Sequence, residues 1–335
     1  MVVAVVTLSV LAACSGTANS LSARTAGGSE AYVAAFGDAA QPGTEVPRVN
    51  LARHRADPPL MTTLSEPSAL AAVPGTSDLV VVGAGNDQLV EIDAATGRIH
   101  VRVTVGLQPD AVAVTTSGTA IVVDGGAGTV VPVNLRTGRA GSPVRVGVSP
   151  DAVAIGGPHH SLAVVADAGQ GVILPLFLQG MRPGFPIEVG SEPDAIAFTP
   201  NGQTALVANL GSDNVTPVDL THGHPGAAVP VGVAPTGIAV TDLPAPGTTR
   251  STDPVGTAWV SGGGALVPID LATMTAGTPV PVGHPAEALA LAAGGTQAWV
   301  ADQSNQITEV DLATGHVGPS VFVGGRPRAI VVPNG

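Results

Sequence analysis

Four carboxylates recur at one register of this sequence: Asp110, Asp151, Asp194 and Glu287. Three of them occupy near copies of one hexapeptide: Pro109-Asp110-Ala111-Val112-Ala113-Val114, Pro150-Asp151-Ala152-Val153-Ala154-Ile155 and Pro193-Asp194-Ala195-Ile196-Ala197-Phe198. Looser copies put Ser68, Thr236, Glu287 and Arg328 at the same place. Carboxylates gathered at one point can bind a hard cation such as Ca2+, which takes about six to eight oxygens, or hold a cationic ligand. Arg328 would close such a ring by pairing with its neighbours Glu287 or Ser68. The competing role is structural, because an Asp recurring at a strand start hydrogen-bonds backbone amides of its own or the next repeat. His284 lies close to Glu287 in sequence, so these two are the candidates for general acid–base work.

Spacing says what must position these residues. Aligned on that register, the seven copies fall at 68, 110, 151, 194, 236, 287 and 328, with steps of 42, 41, 43, 42, 51 and 41 residues. A period near 42 is the signature of a β-propeller blade. In the copy at Pro193, strands are expected at 194–199, 205–209, 215–220 and 228–231. Pro200-Asn201-Gly202 makes the first turn, with the Asn-Gly hairpin signal. Apolar strands with little alternation suit sheets covered on both sides. The expectation is an all-β, seven-bladed propeller of four-stranded blades over residues 30–335. The last blade would be closed by the C-terminal strand at Pro327 and by N-terminal strands at 31–36, 45–51 and 59–64. Such closure leaves no unpaired edge.

Strand parity then assigns the loops. The fourth-to-first links and second-to-third loops share one face, here the upper face, where the Asp register rings the channel mouth. Asp124, Asp167, Asn209 and Asp302, ending second strands, add polar groups slightly farther out. Most histidines fall on the lower face: His159 and His160 in a first-to-second turn, and His222, His224 and His316 in third-to-fourth turns. The step of 51 places an insertion, residues 242–255, in a lower-face turn. Gly125-Gly126-Ala127-Gly128 and Gly262-Gly263-Gly264 lie between strands with no helix following, so they read as turns and not phosphate cradles.

The N-terminus and the composition bear on compartment. Residues 1–13 are nearly all apolar and end in Leu11-Ala12-Ala13-Cys14. The run is too short to span a membrane and reads as a secretory signal. Leu-Ala-Ala-Cys resembles the lipobox of bacterial lipoproteins, which implies that Cys14, the only cysteine, is lipidated and becomes the mature N-terminus. No Lys or Arg precedes the apolar run, a departure that an upstream start codon would repair. Residues 14–29 read as the anchored cysteine and a flexible polar tether. The expected location is the extracytoplasmic face of the cell membrane, held by the lipid. A net charge of −12 argues against nucleic acid as a partner. Aromatics at 2 % leave few stacking platforms.

Ala-Phe-Thr-Pro-Asn-Gly-Gln-Thr-Ala-Leu-Val-Ala-Asn at 197–209 and Asn-Val-Thr-Pro-Val-Asp-Leu at 214–220 resemble the YVTN-type β-propeller repeat. The resemblance runs through the mature chain and is closest over 193–232 and 285–324, with Ala or Trp in place of the repeat's Tyr. It implies a seven-bladed, secreted or surface-attached protein and no single activity. The leading expectation is a lipid-anchored binding or scaffold module, with a protein or small-molecule ligand at the channel mouth. The alternative is a metal-dependent propeller enzyme of lactonase or lyase type, which needs His284 and at least two carboxylates converging on a divalent cation in one pocket. A cofactor-bearing dehydrogenase propeller is disfavoured, since Trp259 and Trp299 are the only tryptophans. Fold alone licenses no chemistry, and this favours the binding reading.

Overall fold

Runs of about six Val, Ile, Leu and Ala residues, punctuated by Gly, Pro, Asn and Asp, fold as strands for lack of any helical period. The computed structural model describes residues 30–36, 43–157, 160–243 and 256–333. The expected signal peptide at 1–13, Cys14 with its tether at 14–29, His159, and residues 244–255 of the inserted loop lie outside the described residues.

Seven antiparallel sheets form the blades of a β-propeller. Blade 1 runs Pro67–Ala72, Asp78–Gly83, Gln88–Asp93 and Ile99–Thr104 from the axis outward. Blades 2 to 6 begin with Pro109–Val114, Pro150–Gly156, Pro193–Phe198, Pro235–Thr241 and Ala286–Ala292. In blade 7 the inner strand is Arg326–Val331 from the C-terminus, followed by Glu30–Phe36, Glu45–Asn50 and Arg55–Met61 from the N-terminus. The ring therefore closes through both chain ends, as the repeat count requires. Inner strands are buried on both faces, as in Pro193–Phe198, because the neighbouring blades cover them. Outer strands alternate, as in Ile99–Thr104, since water bathes one side. The core lies between blades: one cluster joins Tyr32 and Val46 of blade 7, Val80 and Leu89 of blade 1, and Val112 and Val122 of blade 2.

Two strand expectations need correction. The fourth strand of blade 7 is Arg55–Met61, not 59–64, and residues 62–64 leave the ladder. An outermost strand can begin in Arg-Ala-Asp-Pro-Pro because its free side asks for no donor there. The fourth strands of blades 2 to 5 are not single runs: in blade 4, His224–Pro225 and Val229–Pro230 pair separately with the third strand. Opposite each break the third strand holds a proline (Pro132, Pro175, Pro217 or Pro268), which offers a carbonyl but no N–H, although the outer strands of blades 1, 6 and 7 slip register at the same place without breaking. Each carbonyl accepts one 2.7 Å bond from a glycine amide (Gly141, Gly184, Gly226 or Gly277), and the outer strand bulges around that glycine.

Candidate functional site

The mouth register has a geometric origin. In blades 1 to 6 the inner strand slips register between its first and third residues, so Ser68, Asp110, Asp151, Asp194, Thr236 and Glu287 are each the unpaired residue of a β-bulge. Arg328 holds the same place in blade 7, skipped between Pro327 and Ala329. A bulge re-aims a side chain away from the ladder, and repetition around the ring brings these groups to one mouth.

Their contacts differ with residue type. The Ser68 hydroxyl donates to the carbonyl of Pro109, the first inner-strand residue of the next blade. Thr236 repeats this contact, donating to Ala286 across 2.9 Å. Glu287 is buried and accepts from Arg326 at 2.8 Å, with Arg328 at 3.9 Å. Arg328 also lies over the Phe36 ring, 4.8 Å from its centroid. Asp194 is buried, and its Oδ2 has no hydrogen-bond partner among the described residues. Burial pushes the Asp110 carboxyl up to about 6 against the opposing pull of Arg328 and the Gly125 amide. Burial, then the Asp110 and Asp167 charges, push Asp151 up to about 7. Asp194 is raised well above the carboxylate range by burial and then by Asp151, Glu287 and Glu192, with Arg328 opposing. The expected acids therefore share one electrostatic neighbourhood. Arg326, on which sequence reading placed nothing, is Glu287's shortest partner.

The catalytic pair is not assembled by hydrogen bonding among the described residues. His284 is exposed in the link before Ala286, while Glu287 is engaged by the two guanidiniums. No three His, Cys, Asp or Glu side chains among the described residues are placed to hold a metal ion. His222 turns back on Asp219, its Nδ1 being 2.7 Å from Oδ2. Trp259 and Trp299 are core residues. His54, also unremarked in the sequence, binds the Glu309 carboxylate and lies 5.6 Å from the Trp299 ring, joining blade 7 to blade 6.

The second-strand termini hold the upper-face links. Asp167 accepts from the amides of Val148 and Ser149 at 2.8 and 3.1 Å, and Asp124 accepts from Gly106 at 3.1 Å. A Cβ at Gly106 or Gly147 would run into these carboxylates, so the close approach requires glycine. Gln108 sits at φ 50, its amide taken by Asp87 at 2.9 Å. These rigid links carry exposed apolar side chains, Leu107 at 59 % and Val148 at 60 %. Met61 and Phe322, also exposed, end the outer strands of blades 7 and 6 on the same face. Phe322, Met61, Leu107 and Val148 thus follow one another along an arc from blade 6 through blades 7, 1 and 2 to blade 3.

Fold and repeat together define a β-propeller repeat protein. The family described as outer membrane protein assembly factor BamB (PQQ_2) matches residues 29–174. No curated protein matches the sequence. Among solved structures, a functionally unknown protein from Desulfotomaculum acetoxidans DSM 771 is similar at 16 % identity and TM-score 0.75, covering 91 % of this chain and 99 % of that one. Kuenenia stuttgartiensis hydrazine synthase is similar at 18 % identity and TM-score 0.68, covering 81 % and 90 %. Dihydro-heme d1 dehydrogenase NirN in complex with DHE is similar at 15 % identity and TM-score 0.65, where 89 % of this chain spans 65 % of that one. At such identities the likeness is one of fold.

Proposed function

We propose that this propeller is a YVTN-type scaffold, anchored through an acylated Cys14 on the extracytoplasmic face of a membrane, that docks another protein on its upper face. The observation that carries the docking is the arc of exposed apolar side chains, Phe322, Met61, Leu107 and Val148, on the face that bears the polar mouth. An apolar patch bordered by polar groups is the anatomy of a protein interface. The links bearing Leu107 and Val148 are fixed by Asp124 and Asp167, which lowers the ordering cost of binding. Residues 61, 107 and 148 fall inside the stretch similar to an assembly-factor family, which supports a scaffolding role. The anchor rests on the lipobox-like Leu11-Ala12-Ala13-Cys14.

Leu107→Asp with Val148→Asp tests the reading. The pair is expected to remove co-purifying partner protein from membrane extracts while leaving the melting temperature unchanged, because both side chains already face water. A partner retained by the folded double variant would refute the proposal.

A further inference from the structure

The turns joining third to fourth strands, on the lower face, are charged unequally around the ring. Blades 7, 1, 2 and 3 carry Arg53 and Arg55, Arg98, Arg136 and Arg139, and Arg182 there, all exposed. The corresponding turns of blades 4 to 6 contain no arginine and are capped by Asp219, Asp270 and Asp311, each accepting amides of its own turn. In blades 7 and 2 the same cap is neutral: Asn50 accepts from Arg53 and Asn134 from Thr137, both at 3.0 Å. Blade 1 keeps an acidic cap, Asp93. Other lower-side acids of this sector offset part of the charge, Asp57 cancelling Arg55, while Arg53, Arg98, Arg136, Arg139 and Arg182 have no ion-pair partner among the described residues. Asp57 pairs with Arg55 at 3.0 Å, Glu30 accepts the Tyr32 hydroxyl at 2.6 Å, and Asp78 lies 3.7 Å from His100.

Adjacent blades pack closely here: a Cβ on Gly97 in the blade 1 turn would lie 3.9 Å from Leu60 in the outer strand of blade 7, and one on Gly138 in the blade 2 turn 3.6 Å from Val101 in the outer strand of blade 1. The arginine-bearing turns thus belong to four consecutive blades and follow one another along one side of the lower rim. Two of the five phenylalanines stand at its blade 3 end, Phe177 exposed to 47 % and Phe185 to 88 %, with Phe177 paired in register to Arg182. Glu30, the first described residue, lies in this same sector, since it is in register with Asn50, and Asn50 with Arg55.

We infer that the arginine rim of blades 7, 1, 2 and 3 is a docking surface for an anionic lipid bilayer, with Phe177 and Phe185 entering the headgroup layer. Basic groups near a surface of anionic lipid are attracted to it, and exposed aromatic side chains settle at the interface. Only the direction of the membrane rests on the anchored reading above; the rim itself does not. One acyl anchor plus a basic patch holds a protein more firmly than either alone. Docked in this way, the upper face with its apolar arc points away from the lipid.

The test uses the mature chain from residue 14 onward carrying Cys14→Ser, which has neither the acyl group nor the apolar segment 1–13, and vesicles of phosphatidylcholine with or without phosphatidylglycerol. Sedimentation with the anionic vesicles at low salt, release at high salt, and none with phosphatidylcholine alone are expected. Replacing Arg53, Arg98, Arg136 and Arg139 by Gln lowers partitioning on the order of tenfold or more. Phe185→Ser lowers it too. Arg102→Gln with Arg145→Gln, exposed arginines nearer the upper face, leaves it unchanged, and thermal melts of each variant confirm folding. Equal binding to both vesicles overturns the inference, as does equal loss per charge from the upper-face pair. Displacement from vesicles by duplex DNA at equal charge also overturns it, by assigning the rim to a nucleic acid. Acylation of Cys14 is read separately, from the mass of the wild-type chain extracted from membranes, so the anchor and the rim fail independently.

Discussion

Asp110, Asp151 and Asp194 occupy places where Ser68 and Thr236 donate hydrogen bonds to the next blade. A protonated carboxyl can donate likewise, whereas an ionised one is an acceptor only. Burial favours the protonated form, with Asp110 near 6 and Asp151 near 7, against an unfolded value of about 3.9. Between these values the folded chain holds protons that the unfolded chain has lost, so stability falls as pH rises through 6 and 7. Asp124, also raised to about 7 by burial, acts in the same direction. Asp93, Asp219 and Asp311, held low first by the amide or side chain bonds of their turns, act only below about pH 4. The melting temperature should be higher at pH 5 than at pH 8, and Asp151→Asn, keeping an N–H donor, should raise the pH 8 value and flatten the profile. A melting temperature that climbs from pH 5 to pH 8 would rule this out. The register of the acids is legible in the sequence because the repeat aligns them. Arg326 is not, since its partnership with Glu287 exists only after ring closure sets blade 7 against blade 6.

At the scale of elements, the inner and second strands are legible because they are apolar and bounded by Pro, Gly and Asn. The outer strands are not. They bulge opposite the middle of the third strand, which splits the outer strand opposite Pro217 but leaves Ile99–Thr104 whole opposite Glu91 and Arg55–Met61 whole opposite Pro47, so the residue at that place does not announce the break. The closing blade makes the sharpest claim. Ile330 is fully buried in the C-terminal strand, in register with Val33 from the N-terminal end. Ile330→Ala should cost about 2–5 kcal/mol in chemical denaturation, which also exposes a chain end if that strand frays. A variant as stable as wild type would mean that the C-terminal strand does not complete the ring. His54, 255 residues from Glu309 in sequence, clamps the same junction, a contact no periodicity could reveal.

Over the whole molecule, charge and apolar surface are segregated. Only Arg182 and Arg250 of the 13 arginines lie within residues 146–324, so nearly all the net negative charge belongs to blades 3 to 6. Part of the lower rim is legible in Thr96-Gly97-Arg98 and Thr137-Gly138-Arg139, which repeat one turn with the same basic residue. Their joint surface with Arg53 and Arg55 emerges only when the N-terminal strands join the last blade. The upper arc of Phe322, Met61, Leu107 and Val148 is likewise assembled by closure. Site-specific photo-crosslinking in intact cells tests this division most directly, with the probe at residue 107 or 148 on the upper face and at residue 273 in a lower-face turn. A discrete protein adduct from positions 107 and 148, and none from 273, is the expected result; adducts from 273 with none from the upper face would contradict the account.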